Sequence, residues 1–199
     1  MDDESFEIEA WLNSRPTLAE ERNHPNHWYN RASDLHASAG ALWHSMGDGH
    51  ANISRQLGLG DEFSLSVACY PVYLMLSGLA LELIIKAVLV QRKIELKKID
   101  NKHQLSELVR LLDIKPTRQE LQVLKLYQEN IVWAGRYPTP RTHIDEKLKQ
   151  YWSLSSEVLT SPVEKFNTIE LRQFNGATDW EEFTKLWRSY ASLFRRDLC

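Results

Sequence analysis

The chain has 199 residues, 24 Lys and Arg against 27 Asp and Glu, a net charge of −3 and 43% hydrophobic residues. That length supports one well-buried core and barely two, and the composition excludes a disordered polymer. The balance of charge offers no global attraction for nucleic acid, so any such binding requires a local patch.

Residues 1–24 are acidic, contain Pro16 and lack the basic-then-apolar pattern of a secretory signal, so they read as an arm docked on one helical domain spanning 25–199. Within that domain Trp28, Ala32, Leu35, Ala39, Leu42 and Met46 alternate steps of four and three, an apolar stripe on one helix. Asn26 after Pro25 reads as its N-cap, and Gly47 with Gly49 as its stop. A connection through Gly58 and Gly60 leads to a long apolar helix starting near Asp61 or Ser64, with Pro71 in its first turn or at a kink. Val72 to Val90 approaches membrane-spanning length. Glu82 and Lys86 interrupt it, four apart and able to pair on one face, so the central helix of a bundle is the better reading.

Further on, Leu105, Leu108, Val109 and Leu112 form a short amphipathic helix ended by Pro116. Thr117 caps the next helix, whose stripe is Leu121, Leu124, Tyr127, Ile131 and Ala134, with Gly135 and Pro138 ending it. A less regular stretch follows, with weak strand character only around residues 168–174. Thr178-Asp-Trp-Glu181 has the spacing of a capping box and opens a last helix carrying Phe183, Leu186, Trp187, Tyr190 and Phe194 on one side. The fold class expected is all-α, an antiparallel helical bundle.

Strongly spaced catalytic motifs are absent: there is no phosphate-binding glycine loop and no His-Glu-x-x-His. His24 and His27 have His-x-x-His spacing, but Pro25 between them works against a shared helical face, so they read as a helix start with surface histidines. Cys69 and Cys199 are the two cysteines; they form no Cys-x-x-Cys pair, which fits a reducing compartment and the cytoplasm. No metal and no cofactor are expected.

Two features point to phosphate chemistry. From Lys86 to Arg118 the chain carries nine cations against four carboxylates, a run that grips phosphates or forms a solvated helix end. The second is Trp133-Ala-Gly-Arg-Tyr-Pro-Thr-Pro-Arg-Thr-His143, a proline-stiffened turn presenting Arg136, Arg141 and His143. Guanidinium groups bind phosphate oxygens through two parallel bonds, and an imidazole moves protons near neutral pH. The competing reading is that Arg136 and Tyr137 tie the turn to the bundle.

Three segments together resemble the HEPN superfamily of helical bundles. They are Gly78-Leu-Ala-Leu-Glu-Leu-Ile-Ile-Lys-Ala87, similar to its Glu-Leu-x-x-Lys helix; Asp100-Asn-Lys-His-Gln-Leu-Ser-Glu-Leu108, similar to its His-x-Leu helix start; and Trp133-Ala-Gly-Arg-Tyr-Pro138, similar to the Arg-Tyr-Pro turn of bacterial members. The resemblance covers a core of about residues 61–143 and implies a HEPN-like bundle with extra terminal helices. It also implies RNA or a nucleotide as ligand, a homodimer, an antitoxin-type protein partner and no membrane. Active members are metal-independent endoribonucleases with Arg, four to six residues, then His. Arg136 and His143 are separated by six. The resemblance makes that pair catalytic, Arg136 stabilising charge on the phosphate and His143 assisting proton transfer at the ribose 2′-hydroxyl. Arg141, Tyr137, Lys86, Lys102 and His103 are the implied substrate-binding residues. Arg22 to His27 and Arg31 to His36 meet the spacing too; position after the apolar helix favours Arg136. The family often has a small polar residue after the arginine. Here Tyr137 and two prolines follow, so Arg136 and His143 are not expected to share a helical turn. A non-catalytic binding or assembly module of the same fold remains the alternative. A small-ligand protein with an aromatic pocket built on Trp43, Tyr73 or Trp133 is a third reading.

Overall fold

In a computed structural model, the chain is described at Ile8, Trp11, 14–60, 62–99, 103–141 and 144–196, with Leu96 described by its backbone alone. The described elements are α1 (Leu18–Arg22), α2 (Pro25–Ser45), α3 (His50–Gln56), α4 (Leu65–Gln91), α5 (Leu96–Ile99), α6 (Leu105–Arg110), α7 (Arg118–Glu129), a π-helical turn (Asn130–Ala134), α8 (Asp145–Leu159), β1 (Thr160–Phe166), β2 (Ile169–Phe174) and α9 (Trp180–Ala191). The protein is mostly helical, and the all-α expectation is corrected by one antiparallel hairpin, β1–β2.

The 27-residue α4 organises the rest, because apolar side chains surround its axis and a helix hydrophobic all round must be covered all round. Helices α2, α3, α5, α6, α7 and α9 and the π-turn all touch it. It is the described helix long and apolar enough to cross a membrane, and 72% of that apolar window is buried inside the protein. Ser64 caps it, its Oγ accepting from the Val67 N–H at 3.4 Å. Pro71 lies in the second turn, past the position where a helix tolerates proline without losing a bond.

The cap of α2 is His24, whose Nδ1 accepts from the Asn26 N–H at 3.3 Å, with Pro25 in the first turn; the expected Asn26 cap is therefore one donor rather than the acceptor. Ala32, Ala39 and Gly40 form the buried face of α2. Gly40 is needed there, since a Cβ would come within 2.6 Å of the Trp180 ring from α9. His36, one turn away, sits against Trp180, Phe183 and Trp187 with ring centroids 4.7, 5.5 and 4.3 Å away. Burial, with Arg188 adding to it, holds its imidazole below the usual histidine range.

At the start of α9 the capping-box expectation fails in an informative way. Asp179 occupies the cap position, and Thr178 is buried instead. Its Oγ1 lies 2.7 Å from the Tyr70 hydroxyl, and its carbonyl accepts from the Tyr73 hydroxyl at 2.8 Å. Thr178 ties the last helix to α4 rather than stopping its own fraying. Residues 145–159, read as irregular from the sequence, form α8, which packs on α7 and buries only Val158.

Candidate functional site

The Arg-Tyr-Pro turn is positioned by the end of α7. Thr117 caps that helix, accepting from the Glu120 N–H at 3.1 Å, and Val123, Leu124, Leu126 and Tyr127 bury its inner face. The chain then widens into the π-turn, where the Gly135 N–H donates to the Asn130 carbonyl at 3.1 Å, five residues back. Such widened turns recur at functional sites. Two glycines allow the close approach to α4. A Cβ on Gly78 would meet Ile131 at 2.9 Å, and one on Gly135 would meet Met75 Cβ at 2.6 Å and the Asn130 and Pro71 carbonyls at 2.9 Å. Both glycines thus lie at the contact of α4 with the end of α7 and the π-turn.

Beyond Gly135 the backbone turns on two bonds to the Trp133 carbonyl, from the Arg136 N–H at 2.9 Å and the Tyr137 N–H at 2.8 Å. Arg136 is exposed; its Nη2 donates to the Val132 carbonyl at 2.7 Å, and its guanidinium lies 5.4 Å from the Tyr137 ring centroid. Tyr137, Pro138 and Arg141 are exposed, whereas Pro140 is buried and pins the turn. His143 and Lys102 lie outside the described residues. Arg136 follows the last helical residue, Ala134, so it is presented by a turn and not by a helix, as Pro138 and Pro140 lead one to expect.

Lys86 and His103 come together elsewhere, around Glu82. Lys86 Nζ is 2.8 Å from one carboxylate oxygen and His103 Nδ1 3.0 Å from the other. Glu82 and Lys86 are both buried, while His103 is half exposed. A buried carboxylate with a hydrogen-bond partner on each oxygen is satisfied, so this cluster serves the packing of α4 and leaves His103 as its one member facing outward. Both Glu82 oxygens are occupied, and neither partner is Arg136. Of the remaining cationic run, Arg92 donates to the Leu112 carbonyl at 2.8 Å, and Lys93, Lys97, Lys98, Arg110, Lys115 and Arg118 are exposed.

Apolar cavities border the turn, open where the third reading expected an enclosed aromatic pocket. Two open apolar cavities, about 590 and 410 Å³, share Tyr70, Pro71, Leu159 and Phe174 as common walls. Trp43 and Met46 complete the larger; Trp133, Tyr137 and Pro138 complete the smaller. Of the three aromatics considered for a pocket, Trp43 and Trp133 therefore line cavities, while Tyr73 is buried in the core. Phe174 and Leu159 could have been found only by knowing that the hairpin folds back here, because neither belongs to a periodic stripe. Among the described residues no three His, Cys, Asp or Glu side chains converge as metal ligands. Comparison with protein-family models, with curated proteins and with solved structures gives no match to this chain.

Proposed function

We propose that this chain is a HEPN-like, RNA- or nucleotide-interacting protein that acts as a metal-independent endoribonuclease of the toxin or phage-defence kind, cytoplasmic and working as a homodimer with an antitoxin-type partner. The observation that carries the reading is Arg136. It stands exposed at the mouth of a proline-pinned turn, where its guanidinium meets the Val132 carbonyl and the Tyr137 ring. Arg141 is exposed on the same turn, so two guanidiniums are available for one phosphodiester.

In the proposed step His143 takes the proton of a ribose 2′-hydroxyl. The 2′-oxygen forms a bond to the adjacent phosphorus, and the bond from phosphorus to the 5′-oxygen breaks. The leaving 5′-oxygen regains a proton, giving a 2′,3′-cyclic phosphate and a 5′-hydroxyl. Arg136 stabilises the charge that builds on the phosphoryl oxygens. The alternative, a non-catalytic binding or assembly module, draws its support from the Arg136 bond to Val132, which gives the guanidinium a use in holding the turn.

The test is cleavage of RNA by purified protein in EDTA, with Arg136→Ala and His143→Ala compared with the parent. Loss of about 100-fold or more in each folded variant is expected, as for removal of one charge-stabilising donor. A parent protein that leaves every RNA intact selects the binding-module reading.

A further inference from the structure

We propose that the open apolar cavity beside Arg136 is a base-stacking subsite, and that the RNA this chain takes is a single strand whose unstacked bases seat against Tyr137, Trp152 and Phe174. The inference rests on the reading of Arg136 as a phosphate-binding residue, and adds to it the form of RNA and the residues that select it.

The smaller cavity, about 410 Å³, is walled by six aromatic side chains, Tyr70, Trp133, Tyr137, Tyr151, Trp152 and Phe174. They come from α4, the π-turn, the turn after it, α8 and β2. Some of these rings serve the packing. Trp133 is buried, its Nε1 donating to Glu129 at 2.7 Å, and its ring stands edge-on to Tyr151 with centroids 5.0 Å apart. Three others do not: Tyr137, Trp152 and Phe174 are 56%, 59% and 76% exposed. Exposed rings gathered from three elements around one cavity keep a large apolar area in water, which protein surfaces rarely do away from an interaction site.

The chemistry of the walls chooses the occupant. Rings grip flat ligands by stacking, and every base has such a face, so aromatic walls hold bases without demanding one sequence. None of the described walls of this cavity is charged, whereas two exposed guanidiniums stand on the turn that supplies Tyr137 and Pro138. One of them, Arg136, lies 5.4 Å from the Tyr137 ring centroid, so a cation and a wall are in contact. A ligand with a flat apolar part beside an anionic part uses both; a lipid tail or an apolar peptide leaves the cations idle. Ser155 Oγ, buried and without a hydrogen-bond partner among the described residues, lines the same cavity and offers one polar contact to the edge of a base.

A strand is favoured over a free nucleotide by what lies next to this cavity. Tyr70, Pro71, Leu159 and Phe174 also wall the larger one, about 590 Å³, to which Trp43 and Met46 belong. Its one charged described wall is a carboxylate, Asp179, so it suits a second base and not a phosphate. Duplex bases are stacked on each other and reach neither cavity, while the splayed bases of a single strand reach both. Trp152 and Phe174 lie outside residues 61–143, so α8 and the hairpin supply two of the three exposed rings.

The probe is a fluorescent single-stranded RNA of about 10 nucleotides, 2′-O-methylated so that it cannot be cut, titrated with the full chain and read by anisotropy. Trp152→Ala and Phe174→Ala, both at exposed positions, are expected to fold as the parent does by circular dichroism. Each is expected to bind at least about fivefold more weakly, the lower end of what one stacked base contributes. Trp152→Phe, which keeps a ring, restores most of that affinity. The probe annealed to its complement is expected to bind the parent at least about fivefold more weakly than the single strand. Adenosine monophosphate is expected to displace the probe only at least about tenfold above the probe's dissociation constant, since it fills one position of a longer groove. If both folded alanine variants hold the single strand as tightly as the parent, the subsite is wrong and the reading of Arg136 stands. A duplex or a mononucleotide bound as tightly as the strand overturns the subsite in the same way. A parent that binds no RNA overturns both. A parent that binds the strand through Trp152 and Phe174 yet cuts no RNA keeps the groove and removes the nuclease.

Discussion

Lys86 and Arg136 are both cations set beside apolar helical residues, and the fold treats them in opposite ways. Lys86 projects from the middle of α4 into the interior, where Glu82 meets it at 2.8 Å and His103 completes the carboxylate. Arg136 falls two residues past the π-turn, where the backbone has left the core, and its bond goes to a carbonyl one turn behind. In the first place charge is spent on packing. In the second it stays on the surface, where a ligand can reach it. A cation's use is therefore decided by its distance from the end of the apolar run more than by its type.

The sharpest way to break this comparison is Lys86→Ala. It leaves Glu82 buried with only the half-exposed His103, and about 3–5 kcal/mol of stability should be lost in chemical denaturation. Glu82→Leu with Lys86→Met should recover most of that loss, because an apolar pair of similar volume removes the buried charges together. Next in size is Gly135→Ala, whose Cβ would strike Met75 and two carbonyls; a loss of about 1–3 kcal/mol in thermal or chemical unfolding is expected.

Smaller still is a pH effect from His36. Its folded pKa lies below the ordinary histidine value of 6.5, so the unfolded chain binds the proton more readily. That contribution is complete above the unfolded pKa of 6.5 and is lost as pH falls through the depressed folded value. His36→Leu should flatten this part of the stability-versus-pH curve measured by denaturant titration. Least affected should be Arg136→Ala, within about 0.5 kcal/mol of the parent, since an exposed side chain makes its one bond to local backbone. A stable, folded Arg136→Ala protein is also what makes its RNA assay interpretable. A large loss of stability there would move Arg136 into the same class as Lys86.

The sequence made α2 and α7 legible because one face of each is buried and burial imposes the period, and α4 legible as a continuous apolar run. Ala32 and Ala39, and Leu124 with Tyr127, lie where the stripes put them, and Tyr73 to Leu89 form the buried part of the run. Helix α8 buries only Val158 and β1 buries nothing, so neither had a strong pattern to read. Thr178 illustrates a different limit. Its place in the chain suits a cap, but two tyrosines 108 and 105 positions away in sequence, Tyr70 and Tyr73, claim its oxygens, and local spacing carries no trace of them. At the site, the turn was legible from Gly135, Pro138 and Pro140. The Glu82–Lys86 pair was legible from its four-residue spacing, but the second partner of Glu82 was not, because His103 arrives from a separate segment.

Pro71 divides α4 into two parts that need not open together. Before it, Ser66, Val67 and Ala68 are exposed; after it, from Tyr73 to Leu89, most residues are buried. Proline cannot donate to the Val67 carbonyl, so the first turns are joined to the remainder by one fewer bond. In hydrogen exchange those turns would lose their amide protons early, as a separate opening unit, while the buried part exchanges only with global unfolding. Because Tyr70 and Pro71 are also common walls of both cavities, the same opening would vary the width of the groove without disturbing the core behind it.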